Sequence, residues 1–331
     1  MIKLLIFIIN YAEVYNLKLI VNKIKRKMQK LKRMIMNHLP AYVYLKLVWK
    51  QKSGSKKRLN LRNPKGFNEK LNWLKIYNRD PQYTILADKY RVREWVSKTI
   101  GKEYLVPLIA VFDSADEIDF DLLPDKFVLK CNHNSGEGMC ICRDKSKIDK
   151  EAVVKRLNIE LKKDYSFESR EWPYKNIIPK ILCEELLTGE KIDNFLSTII
   201  NYKFFCFNGE PKFLYVSIDN TDDGKKGKTK LIMKDMNWNS TPFHRTDHAC
   251  ITDEIKKPAV FDEMIEICKK LSTGIPFVRV DLYCIKGKIY FSELTFSPTG
   301  GFAPFSPPEW ENTIGDWLTL PQKNIRIGKK K

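Results

Sequence analysis

Residues 276–296, PFVRVDLYCIKGKIYFSELTF, decide how this chain is read. Two runs rich in β-branched and aromatic residues flank Lys286-Gly287-Lys288, the pattern of a β-hairpin. With a three-residue loop at that tip, Ile285 faces Ile289, Tyr283 faces Phe291, Asp281 faces Glu293 and Arg279 faces Thr295. Arg279, Asp281, Glu293 and Thr295 then share one face of the pair, because side chains alternate along a strand. Like charges directly opposed destabilise a sheet, so two acids in this register call for a cation between them. Hard oxygen ligands of this kind suit Mg²⁺ held with nucleotide phosphates. A two-residue loop would instead put the acids on opposite faces and weaken the case.

Upstream, KFVLKCNHNSGEGMCICRD (126–144) reads as two strands, 127–131 and 139–142, joined by the polar loop NHNSGEG. Around Ser135, Gly136 and Gly138 let the backbone bend so that N–H groups face an anion, and Lys130 adds a positive charge at the loop entrance. The spacing is not that of a Walker loop. An exposed turn with a snorkelling lysine accounts for the same residues. KILCEELL (180–187) reads as a strand leaving one lobe, residues 201–219 form a hairpin about Asn208-Gly209, and residues 228–238 add a strand. Helices are expected over 68–77, with a stop at Asp80-Pro81, over 86–100, with Gly101 as cap, within 147–163, and over 261–271. The one Asp-x-Asp, Asp119 and Asp121, lies in the acidic linker SADEIDFDLLPD, where solvation explains it.

The chain has 331 residues with 59 Lys+Arg against 40 Asp+Glu, a formal charge of +19. Residues 1–64 hold 16 of the basic residues and one acid, Glu13, and residues 323–331 hold five basic residues and no acid, so the interior carries −1. A near-neutral body with basic ends argues against a protein basic throughout, such as a nucleic-acid coat, and no nucleic acid partner is expected. With 43% apolar and 12% aromatic residues, the interior suffices for one large or two medium domains with a proper core. Eight cysteines scattered through apolar runs read as buried free thiols in a reducing cytoplasm, and Cys140 and Cys142 have no second Cys/His pair to complete a zinc site. The opening MIKLLIFIIN is too short to span a membrane and lacks a signal-peptide cleavage pattern. Residues 17–36 mix aliphatic side chains with eight Lys/Arg, which suits the surface of an anionic membrane or a solvated helix packed on the body.

ADKYRVREWV, FVLKCNHNSGEG, EELL, YKFFCFNG and FVRVDLY…GKIYFSELTFSPTGGF together resemble the TupA-like (teichuronopeptide biosynthesis) family of the ATP-grasp superfamily, from about residue 67 to 320. The resemblance implies an α+β ATP-grasp fold, two lobes with antiparallel sheets clamping ATP, preceded here by a basic helical arm. It implies that Lys89 and Lys130 are nucleotide lysines, that Ser135, Gly136 and Gly138 belong to the loop over the phosphates, and that Glu184, Glu185, Leu186 and Leu187 form the interlobe strand that binds adenine. It further implies that Asp281 and Glu293 hold Mg²⁺, that Arg279 steadies the transferring phosphate, and that Lys203 lines the same cleft. Thr295 stands where many such ligases have Asn to complete the metal shell, and Asn201 where an Asp is expected before Tyr-Lys. SPTGG (297–301) resembles the substrate loop of D-alanine–D-alanine ligases. The implied boundaries are a basic arm over 1–64, a helical or α+β part over 65–125, a small lobe over 126–187, a C-terminal lobe with the metal site over 188–322, and a basic tail over 323–331.

The implied activity is ATP- and Mg²⁺-dependent carboxylate–amine ligation through an acyl phosphate. Its substrates would be small-molecule or glycan-linked acids and amines of bacterial surface polysaccharide, handled in the cytoplasm at the inner face of the plasma membrane. Two rivals are a glycosyltransferase of the same pathway, for which only the Asp119/Asp121 pair is available, and a kinase using the same nucleotide site with a hydroxyl acceptor.

Overall fold

The computed structural model describes residues 21–24, 27–28, 34–136, 138–189, 199–218, 230–250 and 255–323. Most of the basic segment 17–36 and the tail beyond Lys323 lie outside the described residues; within the arm, 21–24, 27–28, 34–38 and Ala41–Ser53 are helical. No helix among the described residues is long and apolar enough to cross a membrane. The chain divides into two compact units, Met1–Val48 and Trp49–Lys331, and every candidate site residue belongs to the second.

That unit is built on two sheets. The smaller contains β1 (Leu108–Phe112), β2 (Phe127–Cys131), β3 (Cys140–Cys142) and β4 (Ile181–Glu185), antiparallel in the order β1-β4-β2-β3. Alternation along β2 turns Phe127, Leu129 and Cys131 into a core with Cys140, Cys142, Cys183 and Leu157 of the helix Lys150–Leu161. Lys130 is left on the other face. The four cysteines are free and serve as small apolar residues, and burial pushes the Cys183 thiol up to about 12.

The larger sheet is formed by β5 (Ile200–Phe207), β6 (Glu210–Ile218), β7 (Lys230–Asp235), β9 (Ala249–Cys250), β10 (Phe277–Ile285) and β11 (Lys288–Thr295), in the order β11-β10-β5-β6-β7-β9, while β8 (His244–Arg245) pairs with β12 (Phe305–Ser306). One face of this sheet packs Phe204, Leu214, Val278, Val280 and Leu282 against Phe261, Met264 and Leu271 of the helix Phe261–Ser272. The opposite face is divided. Phe205, Phe207 and Phe277 cluster around Phe67 of the helix Phe67–Tyr77, with the Phe67 and Phe277 rings 5.0 Å apart. Each such buried phenylalanine contributes roughly 1.5–3 kcal/mol. Further along the same strands this face is polar, carrying Lys203, Tyr215, Arg279 and Asp281.

Two expectations are corrected. The hairpin β10/β11 turns on two residues, Lys286 and Gly287, because Ile285 pairs with Lys288. Both have positive φ, 52° and 73°, as a tight turn matched to strand twist requires. That turn alone would send the two acids to opposite faces, for it pairs Tyr283 with Tyr290 and Leu282 with Phe291. A bulge then inserts Ser292, after which Asp281 pairs with Glu293 and Arg279 with Thr295. The bulge restores the residue that the shorter turn removes, so the acids do share a face.

Second, the helix expected over 86–100 is two helices, Pro81–Ala87 and Val92–Thr99. Asp88 between them is extended, and its Oδ1 accepts from the N–H groups of Tyr90 at 2.9 Å and Arg91 at 3.3 Å. Asp80-Pro81 is likewise a helix start, with Asp80 accepting from Gln82 N–H at 2.9 Å and Pro81 in the first turn.

Candidate active site

The bulge sets Asp281, fully buried, beside Glu293 with Arg279 between them. Arg279 donates to Asp281 through Nε at 2.6 Å and Nη2 at 2.7 Å, reaches Glu293 at 3.4 Å and Thr295 Oγ1 at 3.0 Å, and donates through Nη1 to the Tyr215 hydroxyl at 2.9 Å. Lys203, opposite Asp281 on β5, pairs with Asp281 Oδ2, and Lys89 Nζ lies 3.2 Å from Glu293 Oε2. The cations demanded by two opposed acids are thus the protein's own. Burial opposes the charges of Glu293, Lys203 and Arg279, and their partners outweigh it. Lys89, Lys203 and Arg279 bring Glu293 down to about 2, while Asp281 raises both Lys203 and Arg279 above their ordinary values.

Asp281, Glu293 and Thr295 offer carboxylate and hydroxyl oxygen on one face, a donor set that fits Mg²⁺ and lacks the sulfur or imidazole that zinc prefers. No group of three or more His, Cys, Asp or Glu forms a metal cage among the described residues. A Mg²⁺ at this face would therefore share its shell with phosphate oxygens or water.

The glycine loop meets this cluster through Lys89. Asn132, His133 and Asn134 are buried, whereas Ser135 and Gly136 are exposed. The Asn132 amide donates to Asp88 Oδ1 at 2.9 Å and Ile178 O at 3.0 Å, and its Oδ1 accepts from Lys180 N–H at 2.8 Å. Lys89 donates its backbone N–H to Asn132 O at 3.1 Å and its ammonium to Asn134 O at 2.6 Å. The same ammonium faces Glu293, so one side chain ties the loop to the acids. Gly136 and Gly138 have φ of 78° and 76°. A Cβ on Gly138 would come 2.2 Å from Glu160 Cγ, whereas one on Gly136 would meet open space.

Lys130 leaves the thiol core and pairs with Glu184 Oε2 at 2.5 Å, while Glu184 Oε1 takes Arg93 Nη1 at 3.2 Å. Burial lowers the Lys130 ammonium, but Glu184, Tyr283 and Glu293 raise it by more, which places Lys130 within electrostatic reach of the acid cluster. Glu185 ends the strand, is exposed, and gives its N–H to Pro107 O at 3.0 Å. Leu186 and Leu187 follow it, half-buried, outside the strand.

Several residues of this region carry no motif. Tyr215 is opposite Lys203 on β6, a placement that strand alternation could have revealed. Burial, then Glu171 and Glu293, hold the Tyr174 hydroxyl well above its ordinary value, which places it near the acids. Arg245, 3% exposed, donates through Nε to Asp247 at 2.9 Å and through Nη2 to Thr299 Oγ1, and lies 5.4 Å over the Tyr215 ring. Asn201 lies on the Lys203 face, its Oδ1 buried without a hydrogen-bond partner. Asp119 and Asp121 sit in an exposed turn, where Asp121 pairs with Lys150 at 2.8 Å.

Among solved structures the chain is similar to an L-amino acid ligase from Bacillus licheniformis, at 14% identity over 65% of this chain and 44% of that one, with a TM-score of 0.38. It is similar also to a D-alanine–D-alanine ligase from Bacillus anthracis complexed with ATP, at 14% identity over 64% of this chain and 54% of that one, with a TM-score of 0.33. The chain spans about half the length of these structures. No curated protein matches it. A family model described as TupA-like ATPgrasp matches residues 69–319, most of the chain and all of the residues that build this site, and the chain therefore belongs to the TupA-like ATP-grasp family.

Proposed function

We propose that the protein is an ATP- and Mg²⁺-dependent carboxylate–amine ligase acting on bacterial surface polysaccharide or its precursors. The observation that carries this reading is the face of Arg279, Asp281, Glu293 and Thr295, tied through Lys89 to a glycine loop whose tip is exposed. Mg²⁺, when bound, would neutralise phosphate charge and orient the γ-phosphate. Lys89, Lys130 and Lys203 supply fixed positive charge to the triphosphate, and Arg279 stabilises the equatorial oxygens as the phosphoryl group moves. A substrate carboxylate attacks the γ-phosphorus, ADP leaves, and an acyl phosphate results. An amine nitrogen then attacks the acyl carbon, phosphate leaves, and the amine proton passes to solvent. The exposed tip of the glycine loop closes over the site and keeps water from the acyl phosphate.

The basic ends extend this reading to place. A near-neutral enzyme body with strongly cationic termini suits the cytoplasmic face of an anionic membrane, where glycan precursors would be met. Deleting residues 1–36 should release the protein from anionic vesicles without changing soluble turnover; undiminished vesicle binding rejects the arm's role.

The deciding experiment is product identification. Incubation with ATP, Mg²⁺ and a panel of uronic acids and amino acids should give ADP and a condensed amide. UDP release from a sugar nucleotide, with no ADP formed, would replace this reading with a glycosyltransferase.

A further inference from the structure

The helix Phe67–Tyr77 buries three polar side chains, Asn68, Asn72 and Lys75, at positions i, i+4 and i+7. That spacing puts them on one helical face, where a buried helix ordinarily presents apolar residues. All three donate to the main chain of one short segment. Asn68 Nδ2 reaches Ala303 O at 2.8 Å, Asn72 Nδ2 reaches Gly301 O at 2.7 Å and Lys75 Nζ reaches Gly300 O at 2.7 Å. Lys75 also donates to Ser169 O at 2.7 Å and stands 4.7 Å over the Phe302 ring.

The segment needs such support. Thr299, Gly300 and Gly301 have φ of 49°, 63° and 71°, three left-handed residues in succession. A backbone of this kind persists only where its surroundings over-determine it. The close fit is mutual, since a Cβ on Gly301 would come 3.2 Å from Leu71 Cβ, and one on Gly300 would come 2.3 Å from Ser169 Oγ.

Its place in the site follows from sheet order. At the β11 edge, Glu293 meets Lys89 and hence the glycine loop. Two strands beyond β10, Tyr215 on β6 accepts from Arg279 and lies under Arg245, which binds Thr299. The acid cluster is therefore flanked by the nucleotide loop on one side and by Thr299 on the other.

We propose that Asn68, Asn72 and Lys75 are positioning residues that fix segment 297–303 as the wall of the acceptor pocket, and so act on the acid or amine substrate rather than on ATP. This rests on the ligase reading above. None of the three touches the acid cluster directly; they act through the carbonyls they hold.

The test uses full-length protein carrying Lys75→Met, which keeps the stem and removes both hydrogen bonds, with Lys75→Arg as the conservative variant and Asn72→Leu as a second route should Lys75→Met fail to fold. Three quantities are read: Mg·ATP affinity, acceptor KM with the acid and amine that support wild-type product, and amide hydrogen exchange in residues 297–303. Lys75→Met should raise the acceptor KM at least tenfold, leave ATP affinity within twofold and speed exchange in 297–303 at least tenfold, with Lys75→Arg recovering part of each loss. An unchanged acceptor KM, or a loss of ATP affinity as large as the rise in acceptor KM, overturns the proposal. If wild-type protein makes no amide with any pair, the ligase reading fails by itself; exchange still judges the clamp, and an unchanged rate in 297–303 rejects it.

Discussion

Replacing Glu293 by glutamine tests whether the acid cluster is held by its cations. Glu293 lies 3.2 Å from Lys89 Nζ and 3.4 Å from Arg279 Nη2, and its Oε1 accepts from the Thr295 hydroxyl at 3.3 Å. Together with Lys203 these cations bring its pKa from the usual 4.5 to about 2. A carboxylate depressed in the fold adds stability that is complete above its unfolded pKa and is lost as pH falls through its folded one. The full shift corresponds to roughly 3 kcal/mol. The side chain is 24% exposed, and solvent screening reduces this to about 2 kcal/mol. Glutamine keeps the shape and an acceptor oxygen but not the charge. Glu293→Gln should therefore cost about 2 kcal/mol at pH 7, with the difference from wild type shrinking between pH 4.5 and 2. Urea unfolding followed by tryptophan fluorescence, at a series of pH values over which both proteins unfold cooperatively, measures this. A difference constant with pH, or none at pH 7, refutes the electrostatic account. The same substitution removes one of two carboxylates proposed for Mg²⁺, so product formation should fall at least about 100-fold.

Other substitutions probe the remaining parts of the site. Lys130→Met leaves Glu184 paired with Arg93, so the fold should survive while Mg·ATP affinity drops by about tenfold in calorimetry; normal affinity would remove Lys130 from the nucleotide site. Gly136→Ala meets open space and should cost only its left-handed backbone, about 1–2 kcal/mol, whereas Gly138→Ala also drives a methyl against Glu160 and should lower Tm further; equal losses would contradict the loop geometry. Deleting Ser292 makes Glu293 the residue after Phe291, so a regular ladder still pairs Asp281 with Glu293 and keeps Leu294 in the core; this variant and Ser292→Ala should both fold and retain turnover; an unfolded or inactive deletion variant would mean that the bulge does more than set the register.

That bulge also shows what the sequence can disclose. Along β11 and just past its end the core residues are Ile289, Phe291, Leu294 and Phe296, so their spacing is two, then three, then two. A regular strand repeats every two residues, and the single step of three is the trace of Ser292. The other hairpin behaves alike: Asn208 and Gly209 make a two-residue turn with φ of 50° and 89°, a shift follows between Phe205 and Cys206, and Lys203 then meets Tyr215. Parity of the register, which the apolar pattern constrains, is thus readable, whereas the turn and the bulge that jointly produce it are separable only by noticing the phase slip. The break at Asp88 is hidden for another reason. Apolar residues continue across it at helical spacing, and the chain leaves the helix there because Asp88 takes the N–H groups of Tyr90 and Arg91 and is itself held by Asn132, 44 positions on. Arg245 and Tyr174 fall outside any such reasoning, since each comes from an element whose own pattern is mute about the others. What places them is the large sheet, whose apolar face fixes the strands from one side and leaves the opposite face for Arg279 and its partners. The charges of the site are therefore legible as residues, and their assembly is a consequence of where the hydrophobic residues go.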